Sequence, residues 1–225
     1  MPTALITGAS AGIGRALVDV YIREGWTVFA TGRRPADAIA PPLPAECPYI
    51  AADLTEGIAP LMDALPEELD LAILNAGAGK VAPPGDHSPK DIAQMIALNT
   101  TAPLLLAQAL KPRLKGGTLA VIGSTAAKGK HPDFSIYAAT KAALAGAARS
   151  LALEWEGQIK VLMLHPGPTA TDMHDKVGLG AFPARRFFTA PATVAETLAR
   201  SIAKGRNRRL GPLYTLRHAF TGARP

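Results

Sequence analysis

Thr7-Gly8-Ala9-Ser10-Ala11-Gly12-Ile13-Gly14 joins a short apolar run, Ala4 to Thr7, to a stretch from Arg15 to Arg23 with helical spacing of its apolar residues. Glycine adopts backbone angles that are costly to other residues and puts no side chain in the way of a group packed against it. A helix that opens at such a turn aims free N–H groups and the positive end of its dipole at that group, an arrangement suited to a pyrophosphate. The segment therefore predicts a dinucleotide-binding turn, with Gly8, Ser10, Ala11, Gly12, Ile13 and Gly14 against the phosphates.

Working outward, strand-like runs recur at Ala4 to Thr7, Thr27 to Thr31, Tyr49 to Ala52, Leu71 to Asn75, Thr118 to Ile122 and Val161 to His165, with helical patterns between most of them. That alternation predicts an α/β fold, a parallel sheet with crossover helices on both faces. A length of 225 residues suits one domain. Right-handed crossovers place the strand carboxyl ends along one edge, where ligands bind in open α/β sheets. Pro35, Pro41, Pro42, Pro44 and Pro48 crowd the second crossover, leaving room for little more than a turn of helix.

The residues just after the strands carry the chemistry. The second strand ends in Ala30-Thr31-Gly32-Arg33-Arg34, without the carboxylate that usually holds adenosine ribose hydroxyls. Guanidinium groups grip phosphate through paired hydrogen bonds, so Arg33 and Arg34 favour NADP over NAD, and Arg15 adds positive potential. Asp53-Leu54 after the third strand is placed to meet adenine, and Asn75-Ala76-Gly77 after the fourth continues the crevice.

The fifth strand ends in Gly123-Ser124-Thr125, and thirteen residues beyond Ser124 comes Tyr137-Ala138-Ala139-Thr140-Lys141, near the start of a long helix reaching about Trp155. Tyr137 and Lys141, four apart, share a helix face. A free phenol titrates at about 10, too high for efficient proton transfer at neutral pH, and a neighbouring ammonium lowers it. Tyr137 is thus a candidate acid/base, Lys141 its activator and ribose ligand, and Ser124 a donor to a carbonyl oxygen.

Taken together, Thr7-Gly8-(three residues)-Gly12-Ile13-Gly14, Asn75-Ala76-Gly77, Asn99, Ser124, Tyr137-(three residues)-Lys141 and Pro166-Gly167 resemble, in order and spacing, the short-chain dehydrogenase/reductase family over about residues 3 to 205. The resemblance implies a single Rossmann-like, doubly wound domain with a seven-stranded parallel sheet. It implies catalytic roles for Asn99, Ser124, Tyr137 and Lys141, with Asn99 supporting a water relay to Lys141. Pro166, Gly167, Thr169 and Thr171 would wrap the nicotinamide. Residues 172–190 match the family's substrate loop, and 206–225 form a basic tail without the family's glycine-rich ending. Leu162 to Gly167 is similar to a carbonyl reductase subgroup. The implied activity is NADP(H)-dependent reduction of a ketone or aldehyde, the alternative being a non-catalytic NADP-binding regulator of the same fold.

Composition narrows the remaining classes. Cys47 is the only cysteine and the five histidines lack ligand spacing, so neither disulfides nor a metal site is expected. The net charge of +6 raises a polyanion partner, but residues 1–196 sum to −1 and the last 29 residues carry +7. Without aromatic interleaving or a recognisable motif, no nucleic acid partner is expected. The run Ile92 to Leu110 approaches spanning length, but Gln94, Asn99, Pro103 and Gln108 make it a buried amphipathic helix instead. Met1 to Ser10 lacks a secretory pattern, so the cytoplasm is the expected location. Helices Ile92 to Leu110 and Ser135 to Trp155 are rich in Ala and Leu on more than one face, which predicts a homodimer or homotetramer.

Overall fold

The computed structural model describes residues 1–80, 82–83, 85–128, 133–171 and 188–209. Its strands are β1 (Thr3–Thr7), β2 (Thr27–Gly32), β3 (Tyr49–Ala51), β4 (Leu71–Leu74), β5 (Thr118–Ile122), β6 (Lys160–His165) and β7 (Arg208–Arg209). All pair in parallel, in the order β3-β2-β1-β4-β5-β6-β7. The order reverses direction between β1 and β4, so their carboxyl ends open the crevice of a doubly wound sheet. The described helices are α1 (Gly12–Arg23), α2 (Ala59–Ala64), α3 (Pro89–Ile96), α4 (Ala102–Leu110), α5 (Ser135–Glu154) and α6 (Pro191–Ala203).

Strand residues alternate between two cores. Ala4, Ile6, Val28, Ile73, Ile122 and Leu164 point to the face covered by α1 and α6, where Leu17, Val18, Val194 and Leu198 meet them. Leu5, Ala72, Leu74, Val121 and Met163 point to the other face, against Leu106 and Leu110 of α4 and Leu144 and Ala148 of α5. With helices on both faces the strands are apolar on both sides, which is why they read as continuous runs. Between β2 and β3 the prolines leave only one 3₁₀ turn, Ala36–Ala38. Cys47 there is buried, its thiol pushed up to about 11 by burial.

Two features depart from expectation. The Ile92 to Leu110 region is not one regular helix, because α3 and α4 are joined by a π-type turn, Ala97–Thr101, in which the Ala102 N–H donates to the Ala97 carbonyl. Pro103 has no N–H for the Asn99 carbonyl and would crowd it in a regular helix, so the wider turn accommodates the ring. Nor is this region buried all round. Pro89–Leu110 is apolar and long enough by composition to cross a membrane, yet it packs Met95, Leu106 and Leu110 on the domain while Ile96 and Leu105 stand 45% and 50% exposed. The sheet also takes in Arg208–Arg209, from the segment read as tail, through the register Leu164↔Arg208 and His165↔Arg209.

Candidate active site

Along the carboxyl edge, Gly8 and Gly12 have φ of +67° and +57°, the left-handed region that glycine enters without strain. A Cβ on Gly14 would stand 2.2 Å from the Gly8 carbonyl oxygen, so the third glycine lets α1 close onto the end of β1. That contact starts α1 at Gly12, three residues before the expected Arg15. Ala11 precedes it in an extended conformation with no side-chain cap, and α1 carries no acid in its first turn. The helix thus presents first-turn N–H groups without a side-chain acceptor, a cradle that fits a pyrophosphate. Ile13 packs beneath against the core.

The neighbouring strand end braces this turn. The Thr7 hydroxyl accepts from the Asn75 and Ala76 N–H groups at 2.9 and 3.0 Å. Asn75 Nδ2 donates to the Thr7 and Gly8 carbonyls at 3.0 and 3.3 Å. Asn75 and Ala76 are therefore part of the turn's own frame, and a Cβ on Gly8 would stand 2.7 Å from Ala76 Cα.

At the end of β2 the two arginines part ways. Arg33 is exposed and has no ion-pair partner among the described residues. The half-buried Arg34 guanidinium donates to the Ser10 carbonyl of the glycine turn, and the Tyr49 hydroxyl donates to the Arg34 carbonyl at 2.7 Å. Asp53 Oδ1 accepts from the Thr55 N–H and hydroxyl at 3.0 and 2.7 Å; those bonds, with a smaller contribution from nearby Arg33, hold its carboxyl below the usual range. Leu54 beside it is buried. Arg15 is ion-paired to Asp19 at 3.3 Å on α1.

The chemical end is assembled from β4, the π-type turn, β5 and α5. Asn99 is fully buried: Oδ1 accepts from the Ala78 N–H at 2.8 Å, and Nδ2 donates to the Ala78 carbonyl and Thr140 hydroxyl at 2.7 and 3.0 Å. Lys141 is buried beneath, its Nζ donating to the Ile122 carbonyl at 3.4 Å and lying 6.0 Å from the Tyr137 ring centroid. Gly77 sits at the junction, where a Cβ would approach both Asn99 Oδ1 and Lys141 Nζ at 3.1 Å. The Ser124 hydroxyl is close enough to the Tyr137 phenol to pull its titration down.

The electrostatics differ from the sequence expectation. Burial raises the Tyr137 phenol above its ordinary value, and the Ser124 hydroxyl opposes this. Lys141 is itself brought down to about 8 by burial. The i, i+4 spacing shows proximity but not dielectric: Lys141 is buried and Tyr137 half-buried, and desolvation is the largest influence on each.

Beyond β6, the Thr169 hydroxyl donates to the Gly167 carbonyl at 2.9 Å and the Ala170 N–H to the Thr189 carbonyl at 2.9 Å. Thr171 reaches the glycine turn, its Cγ2 standing 3.1 Å from where a Cβ on Gly12 would be. Pro166 accepts from the Thr125 N–H at 3.3 Å, which ties this segment to the Ser124 loop. Residues 172–187 of the expected substrate loop lie outside the described residues. Two contributors escape sequence reading: Thr140, whose hydroxyl accepts from Asn99 and donates to the Tyr137 carbonyl at 2.8 Å, and His165, whose Nδ1 lies 2.9 Å from the Ser124 carbonyl oxygen. Thr140 stands three residues after Tyr137, a helical spacing that could have flagged it.

A doubly wound sheet with a glycine turn at its switch point, Ser124 just past a later strand and Tyr137 and Lys141 on the helix that follows describes the dinucleotide-binding oxidoreductases as a class. The chain belongs to the short chain dehydrogenase family, whose model matches residues 2–181. It is 33% identical over 181 residues to serine 3-dehydrogenase of Agrobacterium fabrum, covering 76% of this chain and 73% of the relative. The solved short-chain dehydrogenase of Sphingobium yanoikuyae in complex with NADPH superposes with a TM-score of 0.82 at 27% identity, covering 93% and 87% of the two chains. A 4-hydroxyisoleucine dehydrogenase complexed with NADH shares the fold at a TM-score of 0.81 and 22% identity, covering 96% and 99%.

Proposed function

We propose that this protein is an NADP(H)-dependent carbonyl reductase that interconverts a ketone or aldehyde with its alcohol. The observation that carries the reading is the gathering of Ser124, Tyr137 and the buried Lys141, 6.0 Å from the Tyr137 ring centroid, at the edge where the glycine turn also opens. The dinucleotide, when bound, supplies or takes up the hydride at the carbonyl carbon. Gly8 to Gly14 with Asn75, Ala76, Asp53 and Leu54 hold its phosphates and adenosine end, and Pro166 to Thr171 its nicotinamide. The exposed Arg33 reads a 2′-phosphate, while Arg34 holds the glycine turn in place for it.

In the reducing direction Ser124 donates to the substrate oxygen and Tyr137 gives its phenolic proton to that oxygen as the carbon receives hydride, leaving an alcohol and a phenolate. The raised phenol keeps Tyr137 protonated at neutral pH but makes it a weaker acid, so proton transfer depends on the phenolate being stabilised as it forms. Lys141 as ammonium stabilises the phenolate, and Asn99 keeps the Gly77–Ala78 backbone open beside it for proton resupply. Residues 1–205 form the catalytic unit, and Arg208–Arg209, from the basic segment 206–225, add its edge strand. Exposed Leu105 and Leu153 on α4 and α5 support a homodimer or homotetramer, and the cytoplasm is the proposed location.

The test is NADPH oxidation across ketones, aldehydes, quinones and pterins. Tyr137→Phe is expected to lower any turnover found by about 10²- to 10⁴-fold, the usual worth of a positioned acid. Turnover that survives this substitution overturns the reading.

A further inference from the structure

We infer that His165 is the positioning residue for Ser124, holding the serine's peptide in register through a ring-to-carbonyl hydrogen bond. The role in turnover rests on the function proposed above; the hydrogen bond itself does not. The register of β5 and β6 ends at Ile122↔Leu164. Past it, the Gly123 N–H donates to the Leu164 carbonyl at 2.7 Å and the Thr125 N–H to the Pro166 carbonyl at 3.3 Å. Pro166 has no N–H to give in return to the Gly123 carbonyl, so the backbone ladder ends here and does not reach the Ser124 carbonyl. That carbonyl is instead met by a side chain, with His165 Nδ1 2.9 Å from the Ser124 oxygen. A carbonyl only accepts, so Nδ1 must carry the proton.

The sequence makes room for this ring. A Cβ on Gly123 would stand 2.8 Å from His165 Nδ1 and 3.1 Å from its Cε1, so the imidazole occupies space that any other residue at 123 would fill. Gly123 and His165 therefore form one device, a bare backbone with a ring laid over it. Ser124 is held from three sides: its carbonyl by His165, its hydroxyl oxygen by the Ala126 N–H at 3.1 Å, and the next peptide by the Thr125–Pro166 bond. Fixing the carbonyl fixes the plane of the 124–125 peptide and with it the direction of the Ser124 Cα–Cβ bond. A catalytic group displaced by about 1 Å can lose 10²-fold in rate, so the bond matters for chemistry as well as packing.

His165→Phe keeps a ring and removes the donor, whereas His165→Asn keeps an N–H donor near the Nδ1 position. The first is expected to lower kcat by about 10- to 100-fold with NADPH affinity unchanged, and the second to restore most of it. Titration of ring-labelled tyrosine by NMR, with Tyr137→Phe identifying the signal, needs no substrate. Loosening Ser124 draws its hydroxyl away from the phenol it lowers, so His165→Phe should move Tyr137 further up, as Ser124→Ala also should, and His165→Asn should move it back. In the unsubstituted protein, nitrogen-15 NMR should find the His165 Nδ1 protonated and slowly exchanging. A neutral Nε2–H tautomer, an unmoved Tyr137 titration in His165→Phe, or an asparagine variant no better than phenylalanine would each overturn the inference. If Tyr137→Phe retains turnover, the proposed reaction fails while the tautomer and titration still decide the role of His165.

Discussion

Asn99 and Ala78 clasp each other through both polar ends of one amide, the Ala78 N–H on Oδ1 at 2.8 Å and Nδ2 on the Ala78 carbonyl at 2.7 Å. The π-type turn makes this possible by carrying Asn99 to the sheet edge from within a helical segment. Asn99→Ala would leave the Ala78 N–H and carbonyl unpaired. Ala78 is itself exposed, so its freed groups are only partly desolvated, and the loss in unfolding free energy is expected at about 1–2 kcal/mol. Urea denaturation measures it; a loss below about 1 kcal/mol would show that water replaces the amide.

Lys141 yields a pH signature. Its value of about 8 means that the ammonium present at neutral pH is lost as pH rises through about 8, well before an exposed lysine would titrate. Reductase kcat/KM should fall above that point, and Lys141→Arg, if it retains turnover, should lack this fall because guanidinium stays charged. A profile flat to pH 9.5 or so in the unsubstituted enzyme would contradict an essential ammonium.

Stability should move the opposite way from activity at this residue. A lysine depressed on folding gives up its proton more readily in the native state, so the unfolded chain binds more protons between about 8 and the ordinary lysine value. The native state is penalised in full below about 8, and the penalty fades as pH rises through that window. Lys141→Met should therefore abolish turnover and raise Tm most at pH 7, with a smaller gain at pH 10. Differential scanning calorimetry at the two pH values decides it; a lower Tm at pH 7 would sink the argument.

The two arginines after β2 should separate by cofactor. Arg33→Ala is expected to weaken NADPH by about 10- to 100-fold, the worth of charge-assisted hydrogen bonds to one phosphate, and to leave NADH nearly unchanged. Arg34→Ala should weaken both, because it frees the Ser10 carbonyl. Fluorescence titration of both dinucleotides is the measurement, and equal NADPH and NADH affinities before any substitution would end the preference for NADP.

Two glycines give opposite stability predictions. Gly14→Ala drives a methyl to 2.2 Å from the Gly8 oxygen, backbone that cannot step aside, and should cost about 1–3 kcal/mol together with dinucleotide binding. Gly146→Ala, within α5 and with only the Arg149 guanidinium at 3.8 Å, should add about 0.5–1 kcal/mol. Thermal melts of the two variants test the pair, and the same sign for both would discredit the contact geometry.

The strand ends are legible without coordinates because a sheet covered on both faces writes each strand as an apolar run and breaks it where polar residues meet the crevice. Gly8 to Gly14, Asn75 and Ser124 are placed by that logic alone. The π-type turn is not legible: Pro103 warns of an irregularity, but its form depends on Asn99 finding Ala78 across 21 residues of sequence. Arg33 and Arg34 look equivalent in a row of letters, and only the Ser10 carbonyl tells them apart. Likewise Tyr137 and Lys141 show their spacing but not their burial, and burial decides the direction of both titrations.

The Arg34 bridge has an evolutionary consequence. Tyr49, Arg34 and Ser10 form a chain from β3 through the end of β2 to the glycine turn, so the residue beside the phosphate reader is also a strut of the phosphate cradle. Cofactor preference in this chain is therefore not a detachable module. A lineage drifting toward NAD by exchanging the Arg33-Arg34 pair would slacken the cradle in the same step, and would need a compensating change at Ser10 or Tyr49 before the new preference could be held.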